Sequence, residues 1–411
     1  MKTIVLDDDP TGTQSATGVR VLLESSAALL AAELATVDAV YVQTNSRAID
    51  EAAAIALVNK VRIDGLAAAE VLGEPVRFVL RGDSTLRGHV FAETEQFLGL
   101  DAIMLFVPAF PDGGRTTSGG MHFVRVRGVD VPAHESEFAA DPVFPFSTGR
   151  LVDYVAEKSD RTAIAIDLET VRAGGTAAVL ASAPAGSVIV PDAVTNDDVR
   201  LIAAAVESVD RAIVTRSAAP LAAALAGVES TGLLATPLVP SARSTLLVCG
   251  SHTAGATAQL EQVASEWGRP VVIDTDAALA DPTQAASAAT AEVARRLDAR
   301  LLAVVTSERA RSDEHNTLAH GERVMDALTQ VVRATLPRVE VVVAKGGITS
   351  ADVARIGIGA TSATVLGQVL PGVSVWSMVA VDGREVLYVV VPGNVGEPDT
   401  LVRVLDALSL P

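Results

Sequence analysis

Short runs of β-branched and aliphatic residues recur along the first half of the chain, at 3–6, 39–43, 76–80, 102–107, 163–166 and 187–190, with Ala- and Leu-rich stretches between them. Continuous apolar runs mark strands buried on both faces, and intervening helices supply the crossovers that parallel pairing needs. Within one such stretch, 51–61, Ala54, Leu57, Val58 and Val61 recur at i, i+3, i+4, i+7, which predicts a helix. A second series of runs, at 245–249, 271–273, 301–306, 339–344 and 385–391, follows a Pro- and Ser-rich aperiodic segment at 231–244. The 411 residues therefore read as an α/β chain of two domains, each built on a mostly parallel sheet flanked by helices. The expected N-terminal domain covers 1–235 and the C-terminal domain 245–411. Residues 108–146, rich in Gly and Pro, break the first series as a long ordered insertion or loop.

Fifty acidic residues against 32 basic ones give a formal net charge of −18. That field repels nucleic acid and anionic membrane surfaces, whereas a local cluster of donors can still hold a small anion. The single cysteine, Cys249, leaves no partner for an intramolecular disulfide and fits a reducing compartment. No apolar run approaches the roughly 20 residues that span a bilayer, and the first strand runs straight into aspartates, unlike a signal peptide. The expectation is a cytoplasmic protein with no nucleic-acid or membrane partner, compatible with a homo-oligomer.

In open α/β sheets, ligands bind beyond the carboxyl ends of the strands. The first apolar run ends in Asp7-Asp8-Asp9, the second in Gln43-Thr44-Asn45-Ser46-Arg47, and the third in Arg81-Gly82-Asp83-Ser84-Thr85-Leu86-Arg87-Gly88-His89. Adjacent carboxylates repel, so at least one of the three aspartates must be solvated, cap the helix after Pro10 or meet a cation. Arg81 and Arg87 offer fork-shaped donors to a carboxylate or phosphate, and Asp83 can take a proton or orient a hydroxyl.

The second half carries glycine turns at strand ends: Cys249-Gly250-Ser251-His252-Thr253, Lys345-Gly346-Gly347-Ile348-Thr349-Ser350 and Pro392-Gly393-Asn394-Val395-Gly396. Such turns let backbone N–H groups approach phosphates. Lys345 is one of only four lysines among 32 basic residues, and a compact ammonium opening a Gly-Gly turn suits a nucleotide phosphate. No GxxxxGK[ST] and no GxGxxG after the first strand is present, so neither a P-loop nor a dinucleotide fingerprint is implied.

These motifs, spread over nearly the whole chain, resemble the four-carbon acid sugar kinase family. The matching segments are LDDDPTG from Leu6, RGDSTLRG from Arg81, PAFPDGGRTT from Pro108, ESEFAADPVFP from Glu135, Gly250 to Gln259, Lys345 to Asp352, LPGV from Leu370 and GNVG from Gly393. The resemblance implies an N-terminal domain that binds an acid sugar and a C-terminal domain that binds nucleotide. The reaction implied is ATP-dependent phosphorylation of the terminal hydroxyl of a tetronate or 3-oxo-tetronate. By position, Asp8, Arg47, Arg81, Gly82, Asp83 and Ser84 would contact the acid sugar, with Asp83 or Asp8 as proton acceptor. Ser251, Lys345, Gly346, Gly347, Ile348, Thr349 and Gly393 would contact ATP. Mg2+ would arrive with ATP, with Asp7 or Asp9 reaching it through water and no direct ligand assigned. The sequence departs from the family pattern in three places: Arg81 replaces the usual lysine, Asp7 with Pro10 changes the first motif, and Lys345 stands where many members have threonine.

Two other readings stand beside it. The opening DxDxT, Asp7 to Thr11, is similar to the nucleophile loop of haloacid-dehalogenase-type phosphatases, with Asp7 as nucleophile and Asp9 as acid. A sugar-acid sensor would keep both pockets without turnover.

Overall fold

The computed structural model of the chain describes all residues except 127, 309–317, 394 and 411, together with the side chains of 318 and 319. The chain divides into two compact units, one of residues 1–19 and 25–230, the other of residues 20–24 and 231–411.

In the first unit seven strands run parallel in the order Ala39–Gln43, Lys2–Asp7, Val76–Arg81, Ile213–Ser217, Ile103–Val107, Val188–Pro191 and Ala163–Ile166. From Lys2–Asp7 the chain adds its next strand of this sheet, Ala39–Gln43, on one side. It then crosses to add Val76–Arg81 on the other. Loops leaving neighbouring strands in opposite directions open a crevice at their carboxyl ends. The register sets Asp7 opposite both Gln43 and Arg81, and Arg81 opposite Ser217. Four strand ends therefore lie level, and the polar motifs that follow them share one edge.

The helix expected at 51–61 extends over Glu51–Leu72. Asp50 caps it by accepting from the Ala53 N–H at 2.8 Å, and Gly73 in the left-handed region ends it. It continues past Val61 because Gly65 and Ala68 prolong the buried stripe. A β-carbon at Gly65 would lie 2.7 Å from the Phe78 ring, so glycine there lets the helix seat directly on the sheet.

Residues 108–146 form a small antiparallel sheet, Arg115–Ser118, Met121–Val126 and Val129–Pro132, followed by 3-10 turns. Phe138 and Phe146 from this insertion enter one apolar core with Leu86, Phe91, Phe106 and Tyr154.

The second unit holds an eight-stranded mixed sheet. Its first five strands, Val271–Ile273, Leu302–Ser307, Thr245–Cys249, Val341–Lys345 and Glu385–Val391, run parallel. Val373–Val379, Ser362–Leu370 and Arg20–Leu22 extend it in antiparallel pairing. The strand Arg20–Leu22 comes from the N-terminal stretch and docks with Leu22 opposite Ser362. Three residues are too short to show a period in sequence. Among the described residues no helix is long and apolar enough to cross a membrane.

Candidate active site

At the level strand ends of the first unit, the three aspartates meet three different fates. Asp9 caps the 3-10 turn Pro10–Ser15, accepting from the Thr11 N–H at 2.7 Å, and its other oxygen pairs with Arg47 Nη2. Asp8 is 1% exposed; its Oδ1 accepts from Arg81 Nη1 at 3.2 Å and its Oδ2 from Arg216 Nη2 at 3.1 Å. Asp7 is fully buried, with Oδ1 accepting from Arg81 Nη1 at 3.1 Å and Oδ2 without a hydrogen-bond partner. A β-carbon at Gly12 would fall 2.2 Å from Asp7 Oδ1, so the Thr-Gly turn lies flat over this carboxyl group.

Burial pushes the Asp7 carboxyl up to about 7, against the pull of the Arg81 guanidinium. A sealed group of this kind cannot act as a phosphatase nucleophile, because an incoming phosphate cannot reach it. The folded chain keeps the proton from the usual 3.8 up to about 7, so stability is greatest below that window and falls as pH rises through it. Asp7→Asn removes the dependence. Between pH 5 and pH 8 the wild-type chain is expected to lose on the order of 2–3 kcal/mol more unfolding free energy than the variant. Urea unfolding at the two pH values reads this, and equal losses in both proteins contradict it.

Asp83 accepts from Arg87 Nε at 2.8 Å and from the Thr85 hydroxyl, with Arg47 Nη1 at 3.5 Å. Burial pushes its carboxyl up, but Arg87, Arg47 and Thr85 outweigh burial and hold it well below the usual carboxylate range. Asp83 is thus a fixed anion and a weak base. Arg47 reaches Asp9, Asp83 and, at 3.7 Å from Nε, Asp8, so it links all three carboxylates.

Arg216 is a member of this cluster that the sequence motifs do not include. It is 2% exposed and bridges Asp8 to Glu93, itself 2% exposed. A β-carbon at Gly82 would lie 2.5 Å from Arg216 Nε, which is why glycine stands there. The signal was available: Arg216 follows the short β-branched run Ile213-Val214-Thr215, as Arg81 follows its own. Ser84 is buried, and its carbonyl accepts from His122 Nε2 at 2.8 Å. Gly88, at a φ of 112°, packs against the Asp8 carboxylate, where a β-carbon would stand 3.3 Å from Oδ2.

In the second unit, Cys249 pairs in register with Thr306 and Lys345, and Lys345 with Val391, so four strand ends again lie level. Their loops converge closely. A β-carbon at Gly393 would lie 2.8 Å from Ser251 Oγ and 3.7 Å from Gly346 Cα, and one at Gly250 would lie 2.5 Å from Thr349 Oγ1. Gly346 has a φ of 112°, which side chains other than glycine rarely adopt. Thr253 caps the helix Ala254–Trp267 by accepting from the Ala256 N–H, and its hydroxyl donates to the Gly393 carbonyl at 2.7 Å. Gly347 and the 40% exposed Ile348 open the short helix Gly347–Asp352, in which Thr349 is buried.

Lys345 departs from the sequence expectation. It is fully buried, and its ammonium donates to the carbonyls of Pro392 at 2.6 Å and Val395 at 3.3 Å. The side chain runs beside the neighbouring strand and ties down the loop that follows it. Asn394 of the same motif lies outside the described residues.

The N-terminal part, residues 3–225, matches the family model for a sugar-binding N-terminal domain, and residues 246–401 match that for a nucleotide-binding C-terminal domain. A D-threonate kinase of Bordetella bronchiseptica is 30% identical over 379 residues, 89% of this chain and 85% of that protein. The chain belongs to the four-carbon acid sugar kinase family. A D-erythronate kinase of this family from Heliobacterium modesticaldum is 32% identical over 253 residues, 60% of this chain. A D-threonate kinase of Salmonella typhimurium is 30% identical over 289 residues, 68% of this chain. These two matches span 54% and 64% of the relatives' own lengths. Solved structures from Haemophilus influenzae (TM-score 0.62, 19% identity, 98% of this chain and 99% of that one) and Salmonella typhimurium (0.69, 18%, 98% of each) share the fold.

Proposed function

We propose that the chain is an ATP-dependent kinase that phosphorylates the terminal hydroxyl of a four-carbon acid sugar, a tetronate or 3-oxo-tetronate. The observation that carries this reading is the presence, in one chain of this family, of two different strand-end sites. One is a guanidinium and carboxylate cluster in the sugar-binding part. The other is a three-glycine convergence in the nucleotide-binding part.

The first site fits an acid sugar on its own chemistry. Arg47 Nε and Arg81 Nε are buried donors without a hydrogen-bond partner, and Asp8 keeps a second acceptor site on each oxygen. Arg47 and Arg81 would hold the carboxylate, while Asp8 and the Gly82 to Ser84 segment would hold hydroxyls. Asp83 would accept the hydrogen bond of the terminal hydroxyl and align its oxygen on phosphorus. Phosphoryl transfer asks for alignment and charge neutralisation more than for a strong base, so an aspartate held ionised suffices.

The second site fits the phosphates of ATP. Glycines 250, 346 and 393 bring three loop backbones together beside Ser251, next to the N-terminus of Ala254–Trp267. Lys345 would serve by fixing the Pro392–Val395 loop. Magnesium entering with ATP would supply neutralisation of phosphate charge, a role that needs few protein ligands. Among the described residues no group of three or more His, Cys, Asp or Glu is suited to hold a metal. Asp7 does not fit the water-mediated role, since it is sealed, whereas each Asp9 oxygen accepts one hydrogen bond and keeps a second acceptor site.

Gly393→Ala is expected to displace the Ser251 hydroxyl and raise the KM for ATP about tenfold or more, with the acid-sugar KM within about twofold. Steady-state kinetics check this, and an unchanged ATP KM removes Gly393 from the nucleotide site. The function itself is tested by supplying the purified chain with Mg-ATP and a panel of D-threonate, D-erythronate and 3-oxo-tetronates. Acid-dependent ADP release is expected; binding of both ligands without ADP would establish the sensor reading instead.

A further inference from the structure

Leu86 lies within the RGDSTLRG loop at a φ of 67°, the left-handed region, which costs a residue with a β-carbon about 1–2 kcal/mol. Contacts behind the loop hold it there. The Leu86 side chain is buried, and its carbonyl accepts from Tyr154 Oη at 2.7 Å. Tyr154 stands on the helix Leu151–Lys158, 1% exposed, with the Phe91, Phe106 and Phe146 rings 5.9–6.1 Å away. Its ring cannot swing, so its hydroxyl is a fixed donor.

Two residues earlier the Ser84 carbonyl meets His122 Nε2 at 2.8 Å. A carbonyl only accepts, so Nε2 carries the proton, and Nδ1 accepts from the Thr117 hydroxyl at 3.0 Å. Burial pushes the imidazole down to about 4, which keeps His122 neutral and the tautomer fixed near neutral pH. Arg87 completes the attachment, with Nη1 3.3 Å from Asp141 Oδ2 and its guanidinium 5.0 Å above the Phe138 ring. Ser84, Leu86 and Arg87 are thus each held by residues outside the loop.

We propose that His122 and Tyr154 are positioning residues that set the conformation of the 82–88 loop and, through it, the fit of the acid sugar. The proposal rests on the functional reading above, in which this loop meets the acid sugar. The donors that read a four-carbon acid sit at fixed spacings, so a displacement of about 1 Å changes which acid fits, and by how much. Specificity is then written partly in the insertion and in the helix after it.

The test uses the full chain with Tyr154→Phe, which removes one hydroxyl, and His122→Met, which removes the donor to Ser84. His122→Gln serves as the conservative variant, because the glutamine amide nitrogen can occupy the place of Nε2. Kinetics with Mg-ATP and D-threonate or D-erythronate are combined with amide hydrogen exchange across 82–88. Tyr154→Phe and His122→Met are expected to raise the acid-sugar KM about fivefold or more, leave the ATP KM within about twofold, and speed exchange of the loop about tenfold. His122→Gln stays near the wild type. Wild-type KM and unchanged exchange in Tyr154→Phe overturn the proposal. Turnover of neither acid by the wild-type chain counts against the functional reading alone, since loop exchange still decides the positioning role.

Discussion

Replacing Asp83 by asparagine is expected to lower kcat by roughly 10²- to 10³-fold while leaving the KM for ATP within about twofold. Asp83 sits where the sheet edge brings Arg47, Thr85 and Arg87 to one carboxylate. An amide there keeps the shape but loses the charge that orders those cations, and it turns a donor toward Arg87 or toward the sugar hydroxyl. The alignment of that hydroxyl then fails even though nucleotide binds, so the loss falls on turnover. Steady-state kinetics in acid sugar and in ATP separate the two, and a kcat within about threefold of wild type removes Asp83 from the chemistry.

Arg216→Met is expected to cost about 3–5 kcal/mol of unfolding free energy, because it strands Glu93 as a buried charge and takes one of the cations from Asp8, which keeps Arg81 and Arg47. The loss has a definite signature. Adding Glu93→Gln to Arg216→Met removes the stranded charge, so the double variant is expected to be more stable than Arg216→Met alone by about 1 kcal/mol or more. Urea unfolding followed by far-ultraviolet circular dichroism measures all four proteins of the cycle. Strictly additive losses would mean that Arg216 and Glu93 do not act as a pair.

Six of the seven parallel strands of the first sheet and the five parallel strands of the second were legible because burial on two faces demands uninterrupted β-branched runs, and their level carboxyl ends followed from parallel register. That reasoning places Asp7 to Asp9, Arg47 and Arg81 to Ser84 on one edge, and Ser251, Gly346 and Gly393 on another. Other features depend on three-dimensional neighbours. Arg216 enters the cluster only because the strand Ile213–Ser217 inserts beside Val76–Arg81, far from it in sequence. Asp7, Asp8 and Asp9 look alike in sequence and differ by what covers them: a turn, two guanidiniums or a helix cap. The weak basicity of Asp83 comes from Arg87 of its own loop together with Arg47 of another segment. A strand-end rule located Lys345 but not the direction of its side chain, which the neighbouring loop carbonyls decide. The strands of the insertion stayed unread because RTTS, MHFVRV and VDVP carry polar residues and partly exposed faces in place of an uninterrupted apolar run.

The most direct test of the central claim is a phosphorus NMR spectrum of the full chain incubated with Mg-ATP and the acid sugar that elicits ADP release. A new phosphomonoester resonance, split by the two protons of the terminal carbon and growing in step with ADP, is the expected result. Inorganic phosphate alone, or a phosphate on an internal hydroxyl, would contradict it.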